Sequence, residues 1–356
     1  MASQTVRRPR AKRTAEAAKP DVYQAVTDRI LAALDEGIVP WHKPWKSIGR
    51  GGPASLASGK EYRGINVFIL TLEAFQRGYS SRYWVTFKQA KQAAVAAARA
   101  AGREIVEETN GRGKTNYYEV VDGERVFFTG GVRKGETGTK IILWKPIPKT
   151  VEVDGERERR DYLLMREFTV FNVEQCDGLN VPDESVDLAD HDTIADCEAV
   201  SDGYRIKRNG PALRHGGDRA YYSPGLDAVQ MPQLGQFDSA ETYYAVLFHE
   251  YAHSTGHEQR LGRKTLVEPA PFGSEDYSRE ELVAEMTAAF VCGAVGVDVN
   301  VPQSAAYIAS WKKHLADDRK AVVQAAAAAQ KAADLILGAH TGAEETAAET
   351  AGEEAV

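Results

Sequence analysis

Cysteine is scarce in this chain. Cys176, Cys197 and Cys292 are the only three in 356 residues, and their spacing matches no thiolate metal motif. An odd, scattered set excludes a disulfide framework. It suits a reducing compartment, with the thiols as small buried apolar groups. Long apolar runs are also missing. No stretch approaches the roughly 18 residues of a membrane span, so no membrane partner is expected. The start is basic, but no apolar segment follows it, so a secretory leader is not expected and a cytoplasmic location is. No internal repeat is present.

Charge is unevenly spread. The net charge is −7, yet residues 1–19 carry Arg7, Arg8, Arg10, Lys12, Arg13 and Lys19 against Glu16 alone. At the other end, residues 339–356 carry Glu344, Glu345, Glu349, Glu353 and Glu354 with no Lys or Arg. Both ends are poor in large apolar residues and are expected to be disordered, as a basic arm and an acidic tail. Between them the pattern predicts an α+β protein in two blocks: 20–150 and 169–338. Residues 151–168 read as a linker or an exposed hairpin, with dense charge around Gly155.

The second block holds the most informative stretch, His249-Glu250-Tyr251-Ala252-His253-Ser254-Thr255-Gly256-His257. It contains H-E-x-x-H within a helical pattern. By chance, one such match falls in roughly one chain in a hundred of this length. On a helix, His249 and His253 share one face, so two imidazoles can hold one Zn²⁺ from the same side. Glu250 then stands beside the ion and can accept a proton there. Tyr243, Tyr244, Val246, Leu247 and Phe248 make the approach apolar. Asp238 and Glu241 are expected as the N-cap pair, and Gly256 as the stop. The bland alternative is a core helix with two satisfied histidines.

Such a site needs a third protein ligand. A second helix is expected from Ser278, as cap, through Phe290. It places Glu281 and Glu285 four apart on one face, where like charges repel unless a cation or a histidine intervenes. His257, beyond the helix stop, is the competing ligand. Two imidazoles and one carboxylate favour Zn²⁺, with Mn²⁺ as the alternative.

The first block interleaves aromatics with cations. Candidate nucleic-acid contacts are Trp41, Lys43, Trp45, Arg63, Asn66, Trp84, Lys88, Arg133, Lys134 and Lys140. Exposed rings can stack on bases while cations follow the phosphates, which fits single-stranded DNA. The bland alternative is that the tryptophans are core and the cations ordinary surface.

Longer strings resemble those of the ArdC-type antirestriction proteins, which share their N-terminal unit with TraC-type primases. They are Val39-Pro40-Trp41, Tyr62-Arg63-Gly64-Ile65-Asn66, Trp84-Val85-Thr86-Phe87-Lys88-Gln89-Ala90 and Val132-Arg133-Lys134-Gly135-Glu136-Thr137-Gly138. Further along are the His249–His257 string, Arg279-Glu280-Glu281-Leu282-Val283-Ala284-Glu285 and Ala305-Ala306-Tyr307-Ile308-Ala309-Ser310-Trp311. The resemblance spans about residues 20–338. It implies a small mixed α/β domain that binds single-stranded DNA, joined to a zincin-like metallopeptidase domain. It also implies a protein of the bacterial cell that protects incoming plasmid or phage DNA and could travel with it. Resemblance to thermolysin-like enzymes implies Glu281 as the metal ligand and Glu285 as the acid orienting a ligand histidine, although the two roles could be exchanged. It further implies that Asp227-Ala228-Val229-Gln230-Met231-Pro232 is an edge strand lining the cleft; a core strand is the alternative. Three functions follow: coating of DNA, proteolysis of a host protein substrate on DNA, or a metal that only locks the fold. The intact Glu250 argues against the third, since a structural site needs no base.

Overall fold

The computed structural model describes residues 21–41, 51–153, 156–182, 193–267, 274–297 and 305–339. The arm expected over 1–19, residues 340–356 of the expected tail, and Lys43 and Trp45 lie outside the described residues. The chain is an α+β protein, as the pattern predicts.

In the N-terminal unit, α1 (Val22–Asp35) starts where the Asp21 carboxylate accepts from the Tyr23 amide at 3.0 Å. It buries Val26, Ile30, Ala33 and Leu34. Then come β1 (Ala54–Ser55) and α2 (Ile65–Arg77). Helix α2 closes on Gly78, which takes the left-handed φ of 70° that glycine adopts without steric cost. Strand β2 (Tyr83–Thr86) runs straight into α3 (Phe87–Ala100), because Thr86 and Gln89 form a capping box. A meander follows: β3 (Ile105–Thr109), β4 (Thr115–Val121) and β5 (Glu124–Phe127). The tight turn between β4 and β5 needs positive φ at both central residues, and Asp122 and Gly123 supply 52° and 82°. After β6 (Gly131–Val132), a long hairpin of β7 (Thr139–Val153) and β8 (Glu156–Asn172) leads to β9 (Cys176–Asp177).

The main sheet has the order β1-β2-β8-β7. Register between β7 and β8 is unbroken from Thr139↔Val170 to Val153↔Glu156. Residues 151–153 and 156–168 are therefore paired strand within this hairpin. The returning strand carries Val170 and Phe171 into the N-terminal core, so that unit continues to Asn172 and does not end near 150.

The C-terminal unit contains α4 (Thr193–Asp202), β10 (Ala212–His215), β11 (Tyr221–Ser223) and β12 (Ala228–Met231). The helices α5 (Ala240–Ser254), α6 (Lys264–Val267), α7 (Glu275–Val295), α8 (Ala305–Asp317) and α9 (Ala321–Leu337) follow. The small sheet runs β10-β12-β11, with β12 parallel to β10 and antiparallel to β11. This corrects the expected edge strand at 227–232. Strand β12 within it is central, paired with β10 over Ala228–Met231 and with β11 over Ala228–Gln230, as the core-strand alternative has it.

The two units share one core. Ile30, Trp41 and Phe68 pack with Leu282, Met286, Trp311 and Val322 in a single apolar cluster. The Phe68 and Phe290 rings stack at 4.8 Å, and Trp41 meets Trp311 edge-on at 5.3 Å. Each such pair contributes about 0.5–1.5 kcal/mol beyond burial. Polar ties reinforce the seam: the Gly64 amide donates to Gln330 at 2.9 Å, and Arg63 pairs with Asp334.

Candidate functional site

Helix α5 begins one residue later than expected. Ser239, not Asp238, is the cap, and its hydroxyl accepts from the Thr242 amide at 3.2 Å. The helix buries Tyr243, Tyr244, Leu247, Phe248, Tyr251 and Ala252. His249 and His253 keep side-chain exposures of only 20% and 13%. Helix α7, in contrast, starts earlier than expected, with Ser274 as its cap. Ser278 is inside the helix, where its hydroxyl contacts that of Ser310 at 2.6 Å. Leu282, Val283 and Met286 are buried, and the packing of α7 on α5 aims Glu281 and Glu285 at the histidines.

The resulting geometry is compact. His249 Nε2 and His253 Nε2 are 3.1 Å apart. Glu281 Oε2 is 3.7 Å from His249 Nε2, and Glu281 Oε1 is 3.6 Å from His253 Nε2. All three residues offer a donor atom within 4.8 Å of the others. Donors held roughly 2.0–2.1 Å from one tetrahedral ion stand about 3.3–3.4 Å apart, so this triangle can hold a small divalent ion. His257 is not in the triangle; its Nδ1 accepts from the Gln259 amide at 3.3 Å.

The remaining ring nitrogens face carboxylates. His249 Nδ1 is 3.3 Å from Glu285 Oε1. His253 Nδ1 is 3.4 Å from Glu280 Oε1, a contact the sequence reading did not anticipate. Carboxylates placed this way orient imidazole ligands and raise their basicity. Burial opposes charge on His249, but the Glu285 hydrogen bond and the charges of Glu285, Glu250 and Glu281 outweigh it and push its pKa up to about 10. A strongly negative pocket of this kind attracts a cation, and metal uptake would displace the proton. Glu250, 9% exposed, follows His249 on the same helix.

The proposed DNA contacts divide sharply. Trp41 and Trp84 are core residues at 3% and 1% exposure, with no face open to a base. Asn66 is buried and bridges α2 to β7: it donates to the Ile142 carbonyl at 2.6 Å and accepts from its amide at 2.8 Å. Arg63 is committed to Asp334. Arg133 donates to the Glu174 carbonyl and pairs with Glu136. Lys88, Lys134 and Lys140 are exposed, Lys140 lying 3.3 Å from Glu167. The sequence reading missed Phe87, which is 62% exposed. Its ring meets Phe171 at 6.2 Å, and Phe171 in turn packs against Gly138 in the basic turn. An apolar residue as the first residue of a capped helix was the available signal.

Comparison with known proteins agrees with this architecture. Residues 20–171 match the N-terminal domain of anti-restriction factor ArdC, and residues 204–328 match a zincin-like metallopeptidase. A protein of Sinorhizobium fredii named y4eC is 32% identical over 323 residues, which is 88% of this chain and 91% of that one. DNA primase TraC of Escherichia coli is 33% identical over 352 residues, 91% of this chain but 27% of the primase. The metal-free crystal structure of the antirestriction ArdC protein from plasmid R388 is 34% identical, with a TM-score of 0.63 over 89% of this chain and 96% of that one. Its Mn(II)-bound structure gives a TM-score of 0.61 at the same identity, over 89% of this chain and 97% of that one. No helix among the described residues is long and apolar enough to cross a membrane. With the shared two-unit architecture and the match to the R388 ArdC protein over most of both chains, the chain belongs to the ArdC antirestriction family.

Proposed function

We propose that this protein binds the single-stranded DNA of an incoming plasmid or phage and shields it from host restriction in the bacterial cytoplasm. The observation that carries the DNA reading is Phe87. A ring at 62% exposure stands next to Lys88 and packs through Phe171 on the turn that bears Lys134 and leads into β7 with Lys140. Stacking on such a ring is worth about 1–3 kcal/mol per base and needs no particular sequence. The test is fluorescence anisotropy of the full chain with a labelled oligonucleotide. Phe87→Ala is expected to weaken binding roughly 5- to 150-fold. Affinity is expected to fall by about 0.7 log units per neutralised phosphate for each tenfold rise in salt. Equal affinity for duplex of the same length, or a flat salt response, would refute it.

In the same reading, His249, His253 and Glu281 hold a divalent cation, Zn²⁺ by donor type, with Mn²⁺ the competitor because the R388 relative has a Mn(II)-bound structure. The bound ion supplies Lewis acidity. Glu285 and Glu280 hold the two imidazoles, and Glu250 is the group able to take up a proton beside them. That carboxylate favours a second reading: a metallopeptidase delivered by the DNA-binding unit to a host protein substrate. Glu250→Gln separates the two. Coating predicts normal DNA binding and most of the protection from restriction. Proteolysis predicts normal DNA binding with protection lost to the empty-vector level, at unchanged protein abundance and metal content.

A further inference from the structure

We infer that Glu280 and Arg263 are a positioning pair that fixes His253 for metal binding; this rests on His249, His253 and Glu281 being the ligands. The pair starts from the segment after α5. It turns back on itself, with Arg263 N bonded to the Gly256 carbonyl at 3.0 Å. Arg263 then reaches the end of α5 and donates to the Ala252 carbonyl at 2.8 Å and to Thr255 Oγ1 at 2.6 Å. Its guanidinium passes so close to Gly256 that a Cβ there would lie 3.0 Å from Cζ. A residue with a side chain there would require the arginine to shift.

The same guanidinium grips Glu280 with two donors. Nε to Oε2 is 3.0 Å and Nη2 to Oε1 is 2.5 Å. Thr265 adds a hydroxyl to Oε2 at 2.7 Å. Glu280 is 5% exposed, so its carboxylate has little room to rotate. Oε1, gripped by Arg263, lies 3.4 Å from His253 Nδ1. With a proton held on Nδ1, the free lone pair is on Nε2, which faces Glu281 and His249. Each imidazole thus has its own carboxylate anchor: Glu285 for His249, Glu280 for His253. An ion pair serving the fold alone would not need this alignment.

The test uses the full chain, freed of metal by chelation, titrated calorimetrically with Zn²⁺ alone. Glu280→Gln is expected to weaken Zn²⁺ binding about 10- to 100-fold, as loss of an orienting carboxylate does. Glu280→Asp guards against a folding failure. It keeps the charge but withdraws the carboxylate by one methylene, and is expected to lose at least about fivefold. Long-range ¹⁵N spectra of the zinc-loaded protein should show the proton on His253 Nδ1 in the wild type and a shifted signal in either variant. Folded variants that bind Zn²⁺ within twofold of the wild type, with the His253 signal unmoved, would overturn the pair's role even if they melt earlier. If His253→Ala and Glu281→Ala also bind like the wild type, the ligand assignment has failed instead.

Discussion

Removing Glu281 should erase the stabilisation that metal gives, and the size of the loss can be worked out. A ligand that binds only the folded state, at one hundred times its dissociation constant, stabilises by about 2.7 kcal/mol. Unfolding entropy near 2.1 cal/mol/K per residue gives about 0.75 kcal/mol/K for a chain of 356 residues that unfolds as one unit. The wild type should therefore melt about 4 °C higher with zinc than with chelator. Glu281 supplies one of three donor groups. Its loss should weaken binding by roughly 10³-fold or more, beyond the 10- to 100-fold of an outer partner. At the same zinc concentration the remaining shift is about 0.1 °C. Glu285→Ala removes only the group behind His249, so about 0.5–2 °C should survive. The assay is thermal melting with and without chelator, at zinc fixed to the wild-type affinity. A full shift in Glu281→Ala refutes the ligand assignment. A shift kept in Glu281→Ala but lost in Glu285→Ala exchanges the two roles.

Asp227 gives a prediction about acid. Burial opposes its charge, but bonds from Arg260 and Tyr222 hold its pKa below the ordinary 3.8. Its folded value is below its unfolded one, so its contribution is complete above about pH 4 and fades as the pH falls through the folded value. Asp227→Asn keeps a residue tolerant of the local φ of 42° but leaves Arg260, 2% exposed, without its counter-charge. It should cost about 2–3 kcal/mol at neutral pH, less than a fully buried pair, and flatten the fall in stability below pH 4, read by urea denaturation across pH. A parallel acid profile would refute this. Phe68→Ala removes a ring packed on Phe290 across the seam and should cost about 3–5 kcal/mol. Tryptophan fluorescence and metal release should then shift together by about 4–7 °C. Two separate transitions, only one of them shifted, would contradict a shared core.

Local signals were the legible ones. Spacing along a helix puts His249 and His253 on one side whatever surrounds them, and Asp122-Gly123 marks a hairpin because few other pairs accept positive φ twice. Caps were legible only to within a few residues. Ser239 stands beside Asp238, and Ser274 one turn before Ser278. Each is a competent acceptor, and only packing decides which one ends its helix. Strand neighbours were not legible at all. The sequence of β12 says nothing about β10 and β11 closing over both of its edges. Hydrophobic character likewise could not tell Trp84 from Phe87. Both are large aromatics in one string, and it is the change from strand to helix at Thr86 that turns one inward and leaves the other in solvent.

The candidate metal centre shows how these two kinds of information combine. Its motif is local, but its completeness is not. Glu280, Glu281 and Glu285 are acids on one helix, and nothing in their order says which nitrogen each will meet. That is decided by the rotation of α7 against α5, which Leu282 and Met286 set by fitting into the core the two units share. Phe290, on the same helix, touches Phe68 of the N-terminal unit. The orientation of the carboxylates therefore depends on packing contributed by the unit that carries Phe87. Through this stack the N-terminal core is joined to the helix that carries the three acids by a route of packed side chains. Sequence separation conceals such a route, because its members lie more than two hundred residues apart in the chain.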